Sequence, residues 1–139
     1  ELLDSGELFA IDYKENAPTL TSWRPDTMSE PQLPISVTAL VTAGSDVGGA
    51  GFITLNRDKQ SVTGVAAVRD AVPGTTAPEK LPWVCDSLAS LHAQWQESLE
   101  AIAERISEGR ADIDPDPQFQ ACRECELASV CRLHLREIC

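Results

Sequence analysis

The sequence has few basic residues and no long apolar run. Lys and Arg together number 11 against 22 Asp and Glu, which gives a formal net charge of −11. A free-standing nucleic-acid-binding protein normally presents a basic face, so this balance argues against that class. It does not exclude an enzyme that handles DNA through metal ions, because metal sites concentrate carboxylates. No apolar run approaches the ~20 residues that a membrane-spanning helix needs. The 139 residues suffice for one domain with one hydrophobic core.

The five cysteines are unevenly distributed along the chain. One lies at position 85 and the other four lie among the last eighteen residues, at positions 122, 125, 131 and 139. The odd number and the clustering at metal-ligand spacing argue against a secreted disulfide framework. We therefore expect a reducing compartment, the cytoplasm. Cys85 has apolar neighbours and is predicted to be a small core residue.

The terminal cysteines form the pattern Cys122-x2-Cys125-x5-Cys131. Thiolates hold zinc or an iron–sulfur cluster, and close spacing lets one short segment aim several thiolates at one centre. Three thiolates leave one ligand of a four-ligand site unassigned. An iron–sulfur cluster completed by a cysteine from elsewhere is one interpretation. A Cys3His zinc site that uses His134 is the second, and an unmetallated or oxidised tail is the third.

Hydrophobic periodicity and turn residues predict alternating strands and helices. A turn over residues 4–7 precedes a strand from Leu8 to Lys14. The segment 15–31 is predicted to be a loop, and a helix from Gln32 to Ala43 follows, capped by Ser29 and ended by Gly44. Residues 48–51 are predicted to be a flexible turn. Two further strands are expected at 50–55 and 61–68, with a loop over 70–80.

The longest helix is predicted from Pro82 to Glu108, with Gly109 at its C-terminal end. Its apolar positions recur at steps of three and four and should form one face: Val84, Leu88, Leu91, Trp95, Leu99, Ile102 and Ile106. Trp95 on this face should be a core residue, whereas Trp23 and Trp83 could pack inside or contact a partner. The order of elements predicts an α/β or α+β sandwich.

Asp12 and Lys14 lie two residues apart on the first strand, so their side chains should point to the same face. The carboxylate can hold a hard divalent cation such as Mg²⁺. The lysine can stabilise the negative charge that develops on a phosphate, or orient the attacking water. Acid-x-Lys is common by chance, and a strand end that reaches solvent is the simpler interpretation of these two residues alone.

The order and spacing of these features resemble the nuclease domain of the PD-(D/E)XK superfamily, and most closely its RecB/AddB-like branch with a [4Fe–4S] cluster. The features are the Asp12-Tyr-Lys14 strand, the helix opening Gln32-Leu-Pro, and the cysteine motif. The resemblance implies that Asp12 is the second acidic metal ligand, that Lys14 is the catalytic lysine, and that Gln32 lies near the active site. It also implies that Cys122, Cys125 and Cys131 ligate the cluster. The tyrosine of the family's Gln-x3-Tyr motif is Ser36 here.

The resemblance implies a restriction-endonuclease-like α/β core, with a mixed sheet flanked by helices, that lacks its first strand. Residues 1–139 would be a single nuclease domain fragment with a cysteine-rich tail at 118–139. The first acidic ligand and the fourth cysteine would precede Glu1, so these 139 residues alone are expected to be inactive.

In the intact protein, the resemblance implies a DNA exonuclease of repair or recombination that depends on Mg²⁺ or Mn²⁺ and works with a helicase domain or subunit. Two alternatives remain at this point. One is a non-catalytic Cys3His zinc module that mediates interactions. The other is a degenerate nuclease scaffold, for which Ser36 is the best support.

Overall fold

The computed structural model describes residues 3–16, 18–55, 60–68 and 72–110, together with Glu126 and Val130. In these ranges the elements are, in chain order, β1 (Leu8–Lys14), α1 (Gln32–Thr42), β2 (Val47–Leu55), β3 (Gln60–Ala66), β4 (Thr75–Thr76) and α2 (Leu88–Ser107). Two short 3-10 turns occupy Leu20–Trp23 and Pro78–Lys80. Neither α-helix in these ranges combines the length and the apolar character that a membrane span requires.

The four strands form one mixed sheet in the order β1-β2-β3-β4. β1 and β2 are parallel, β2 and β3 are antiparallel, and β3 and β4 are parallel. A parallel pair needs a long crossover connection, and α1 supplies the one between β1 and β2. The predicted α/β fold with a mixed sheet and flanking helices is confirmed. The predicted strand at Leu8 to Lys14 is also confirmed.

One face of the sheet packs against both helices. Ala50, Phe52 and Val65 on this face join the buried core with residues of α1 and α2: Leu33, Val37, Leu88, Leu91 and Trp95. The register pairs Asp12 with Phe52 and Lys14 with Thr54. Because paired residues of neighbouring strands point to the same side, Asp12 and Lys14 lie on the helix-covered face, at its edge.

Two tryptophans form the centre of the core, and both are fully buried. The Trp23 ring lies 4.8 Å from the Phe52 ring and 5.6 Å from the Trp95 ring, the latter edge-to-face. Trp95 Nε1 donates a hydrogen bond of 3.0 Å to the Trp23 carbonyl oxygen. The core position predicted for Trp95 is therefore correct. Trp23, which the sequence left undecided, is a core residue that fixes the loop between β1 and α1.

The segment 48–51 is part of β2, so the prediction of a flexible turn there was wrong. Its glycines are buried strand residues, and two of them, Gly49 and Gly51, pack against the Phe9 ring of β1. A Cβ atom on Gly49 would lie 2.7 Å from Phe9 Cε2 and 2.6 Å from the Val65 carbonyl oxygen. A Cβ atom on Gly51 would lie 3.1 Å from Phe9 Cζ. Close packing explains these glycines, and flexibility does not.

Both α-helices end at the predicted glycines. Gly44 (φ +82°) and Gly109 (φ +69°) follow the last turns of α1 and α2. The amide of Ser45 bonds the Leu40 carbonyl, and that of Arg110 bonds the Arg105 carbonyl, which closes each helix in a Schellman motif. The predicted cap of α1 was wrong, because Pro31 occupies the N-cap position and no side chain caps this helix. Ser29 instead donates its backbone amide to the Ser22 carbonyl.

The start of the long helix was predicted six residues too early. α2 begins at Leu88, and the Ser87 hydroxyl caps it by accepting a hydrogen bond from the Ser90 amide. Val84 therefore lies outside the helix and is 84% exposed. Ile106, at the far end of the predicted apolar face, is 70% exposed, so the buried part of that face ends before it. Cys85 precedes the helix but is buried, so its assignment to the core is confirmed.

Candidate active site

Asp12 and Lys14 meet at the carboxyl end of β1. Lys14 Nζ lies 3.2 Å from Asp12 Oδ2, and the two side chains are 26% and 16% exposed. The structure thus brings together the two residues that the strand spacing placed on one face. The ammonium also lies 5.9 Å from the centre of the Phe52 ring, within the range of a cation–π contact. Lys14 therefore extends along the edge of the core before it reaches the carboxylates.

Asp12 carries a buried oxygen that is incompletely satisfied. Oδ2 is inaccessible to solvent and accepts no hydrogen bond from the described part of the chain. Its contact with Lys14 Nζ is close enough for an ion pair but does not have the geometry of a hydrogen bond. A buried carboxylate oxygen without a hydrogen-bond donor costs free energy, which the ion pair with Lys14 offsets only in part.

Glu30 is the third member of the site, and the sequence reasoning missed it. Glu30 Oε2 accepts a hydrogen bond of 3.3 Å from Lys14 Nζ. Its backbone amide and that of Ser29 both donate to the Ser22 carbonyl, at 3.2 and 3.0 Å. Ser22 is itself buried beside the core residue Trp23. Glu30 is therefore attached through its backbone to the same loop that Trp23 anchors.

One signal in the sequence could have indicated Glu30. A β-strand followed by a loop and a helix on the way to a parallel strand brings the end of that loop back to the carboxyl end of the first strand. Glu30 lies two residues before α1 begins. An acid at that position is thus expected near Lys14, although no local motif marks it.

The two carboxylates raise the pKa of Lys14 above its usual value of 10.5. The contact with Asp12 is the largest cause, and the hydrogen bond to Glu30 is the next. Both carboxylates favour the charged form, so the ammonium is protonated at neutral pH. Lys14 at this site is a fixed positive charge and a hydrogen-bond donor. It is not a general base.

Gln32 is the first residue of α1, and its side chain is exposed. The contact that reaches Lys14 from this part of the chain comes from Glu30, two residues earlier. Ser36 occupies the position one turn further on, and its hydroxyl donates a 3.0 Å hydrogen bond to the Gln32 carbonyl. The serine side chain is therefore bonded back onto its own helix, whereas a tyrosine at this position would extend outward.

Asp12 is a candidate ligand of a hard divalent cation, because its oxygen Oδ2 accepts no hydrogen bond from the described residues and carboxylates are preferred ligands of Mg²⁺. Within the described ranges, no group of three or more His, Cys, Asp or Glu side chains is arranged to hold a metal ion. The described residues thus do not by themselves form a metal site.

The predicted cluster ligands Cys122, Cys125 and Cys131 lie outside the described residues, as does the rival zinc ligand His134. Their assignment stays a prediction. Cys85, which is described, is a free buried cysteine. Its burial raises the pKa of the thiol, and Sγ donates a hydrogen bond of 3.4 Å to the Ser87 carbonyl. Cys85 is thus a protonated core thiol.

A mixed α/β sheet with an acid and a lysine two residues apart at the end of its first described strand is the arrangement expected of a nuclease-like core. Comparison with known families agrees: the family model of the PD-(D/E)XK nuclease superfamily matches residues 2–132. The chain belongs to this superfamily, whose members are generally nucleases that use Mg²⁺ or Mn²⁺. Searches of curated proteins and of solved structures found no match.

Proposed function

We propose that this chain is a catalytic nuclease domain that hydrolyses DNA phosphodiester bonds in repair or recombination. The observation that supports the proposal best is the Asp12–Lys14 pair, with Nζ 3.2 Å from a buried carboxylate oxygen at a strand end. Membership of a superfamily whose members are generally nucleases supports the proposed reaction type. The roles of Asp12, Lys14 and Gln32 as site residues are part of this proposal.

Each residue has a distinct role in the proposed reaction. Asp12 would hold Mg²⁺ or Mn²⁺, and the cation when bound would polarise the phosphate and lower the pKa of a water molecule. Lys14 would donate hydrogen bonds to the phosphate oxygens and stabilise the charge that increases as the water attacks. It can do so at neutral pH because its pKa, which the two carboxylates raise above 10.5, lies far above 7. Gln32, exposed at the start of α1, would contact the DNA beside the scissile phosphate.

The acidic charge of the chain bears on how DNA would reach this site. A net charge of −11 repels a polyanion at long range and lowers the association rate. We therefore propose that a more basic helicase domain or subunit delivers DNA to the site.

We propose further that the helicase presents DNA ends, so that the activity is exonucleolytic. Cleavage of linear DNA but not of covalently closed circular DNA would support an exonuclease, and cleavage of both would contradict it.

The proposal is tested in the natural protein with linear DNA at a fixed Mg²⁺ concentration. We expect Asp12→Asn and Lys14→Gln each to lower the cleavage rate by about 100-fold or more, because each removes a group that stabilises the transition state. Asp26→Asn is the matched control. Asp26 is an exposed acid in the loop before α1 that pairs with Arg24 at 2.9 Å, so this variant should retain the rate. Full cleavage by Lys14→Gln would contradict the proposed mechanism.

A specific observation favours a second candidate, a scaffold that binds DNA without cutting it. Ser36 occupies the tyrosine position of the family's motif, and its hydroxyl is bonded to the Gln32 carbonyl. DNA binding with no Mg²⁺-dependent cleavage by the natural protein would favour the scaffold. Cleavage that is lost in Asp12→Asn would exclude it.

For the tail, we propose that Cys122, Cys125 and Cys131 hold a [4Fe–4S] cluster with a fourth cysteine. The support is the spacing of the thiols in the sequence. The natural protein, purified without oxygen, should contain iron and sulfide and absorb near ~400 nm, and this colour should disappear when any of the three is replaced by Ala. Cys139→Ala is the matched control and should retain the colour. Stoichiometric zinc without iron, lost in His134→Ala, would establish the Cys3His site instead.

A further inference from the structure

The Lys14 ammonium has two carboxylate partners of different origin. Asp12 lies on the same strand, at 3.2 Å, whereas Glu30 reaches Nζ from the loop before α1, at 3.3 Å. The Asp12 side chain is 16% exposed and that of Glu30 is 35% exposed. An ammonium has three donors, so Lys14 can contact both carboxylates at once and still present a donor to a substrate.

A cation on Asp12 would weaken the attraction between Asp12 and Lys14. A divalent cation bound to the Asp12 carboxylate would neutralise the charge that attracts the ammonium, and its own positive charge would repel Lys14. A lysine side chain has a flexible stem of four methylene groups, so without a second partner it would turn toward solvent. Glu30 is that second partner, and its backbone amide and that of the preceding residue, Ser29, each donate one hydrogen bond to the Ser22 carbonyl.

We propose that Glu30 is a positioning residue, which retains the Lys14 ammonium at the site while a divalent cation occupies Asp12. This inference deepens the proposed nuclease function and rests on it. Glu30 acts through Lys14, and the inference assigns it no contact with the metal or the DNA. A surface ion pair without this role would contribute little, because exposed pairs are screened by solvent.

The first test measures kcat and KM in the natural protein with linear DNA and Mg²⁺. Glu30→Gln should lower kcat by about 10-fold to 100-fold, the usual effect of removing a group that orients a catalytic residue, with little change in KM. Glu30→Asp keeps the charge and should recover part of the loss. In a Lys14→Gln background, Glu30→Gln should cause no further loss, because Glu30 acts through Lys14. Asp26→Asn, the matched control from the same loop, should behave as the wild type.

The second test measures Mn²⁺ binding without DNA, by the decrease in the spectrum of free Mn²⁺ in electron paramagnetic resonance. In the Glu30→Gln variant, Asp12 is the only carboxylate left to pair with the Lys14 ammonium. The ammonium then competes more strongly with Mn²⁺ for that carboxylate, so we expect Mn²⁺ to bind about tenfold more weakly. Lys14→Gln should bind Mn²⁺ more tightly than the wild type. The effect of Glu30→Gln should disappear in the Lys14→Gln background, since no ammonium is left to compete.

The outcomes separate this inference from the proposed function. Weaker Mn²⁺ binding by Glu30→Gln in both backgrounds would make Glu30 a direct ligand and overturn the positioning role. If Asp12→Asn loses cleavage and Mn²⁺ binding while Glu30→Gln is indistinguishable from Asp26→Asn, the Glu30 assignment alone is overturned. If Asp12→Asn loses neither, the proposed function is wrong and this inference with it.

Discussion

The contribution of the hydrogen bond between Trp95 and the Trp23 carbonyl to the stability of the core can be tested by substitution. Trp95→Phe keeps an aromatic ring in the core but removes the indole N–H, which donates at 3.0 Å to a buried carbonyl. Leaving that carbonyl without its donor costs about 1–3 kcal/mol. Loss of the larger ring weakens the edge-to-face contact with Trp23, for a further cost of about 0.5–1.5 kcal/mol. We therefore expect Trp95→Phe to lower the free energy of unfolding by about 1.5–4.5 kcal/mol.

Trp23→Phe is a matched control that isolates the hydrogen bond. Both tryptophans are fully buried, and the two substitutions remove the same atoms. The Trp23 indole N–H, however, has no hydrogen-bond partner among the described residues. Trp23→Phe therefore loses ring packing but no hydrogen bond through Nε1. It should cost less than Trp95→Phe by about 1–3 kcal/mol.

The assay is urea unfolding monitored by far-ultraviolet circular dichroism. The slope of the unfolding free energy against urea concentration is compared between variants. Equal slopes show that the unfolding free energies can be compared directly. A small domain has only about 5–15 kcal/mol of stability, so the expected loss is easily resolved. If Trp95→Phe costs no more than Trp23→Phe, the Trp95 hydrogen bond does not stabilise the core and our description of the core is wrong.

Two further predictions concern packing and pH. Gly49→Ala should lower the unfolding free energy by about 1–3 kcal/mol, because its Cβ would lie 2.6 Å from the Val65 carbonyl oxygen. Gly51→Ala should cost less, because the nearest contact of its Cβ would be at 3.1 Å. The opposite order of the two costs in urea unfolding would contradict the packing of Phe9 on these glycines. Burial lowers the pKa of His92 below 6.5, so the unfolded state takes up its proton first and stability should fall as the pH decreases through 6.5. His92→Gln should show a smaller loss of stability between about pH 7.5 and about pH 5.5, and an unchanged loss would exclude His92 as the cause.

The parts of the fold that local chemistry determines could be predicted from the sequence. The strand over Leu8–Lys14 shows its apolar pattern directly, and the ends of α1 and α2 follow from glycines that adopt positive φ. The Asp12–Lys14 pair follows from the two-residue period of a strand. These features depend on neighbours within a few residues, so the sequence contains the information that fixes them.

Other features depend on contacts between residues far apart, and these the sequence did not reveal. The segment 48–51 looks flexible by composition, yet it is a buried strand in which Gly49 and Gly51 leave room for the Phe9 ring. Trp23 gives no local signal for its position in the core, which depends on Phe52 and Trp95. The start of α2 was missed because the apolar period continues upstream through Val84, whereas the Ser87 cap starts the helix. Glu30 belongs to the same group, since its partner is sixteen residues away.

The loop between β1 and α1 connects the interior of the protein to the candidate site. Its carbonyl at Trp23 accepts a hydrogen bond from α2, and its carbonyl at Ser22 accepts one from Glu30, the partner of Lys14. The position of a charge at the surface is thus set by an indole ring in the middle of the molecule. If the proposed nuclease function holds, a substitution in α2 that leaves the chain folded would therefore change the cleavage rate without contacting DNA or metal. Selection on activity would then act on the interior of this domain as well as on its active-site edge.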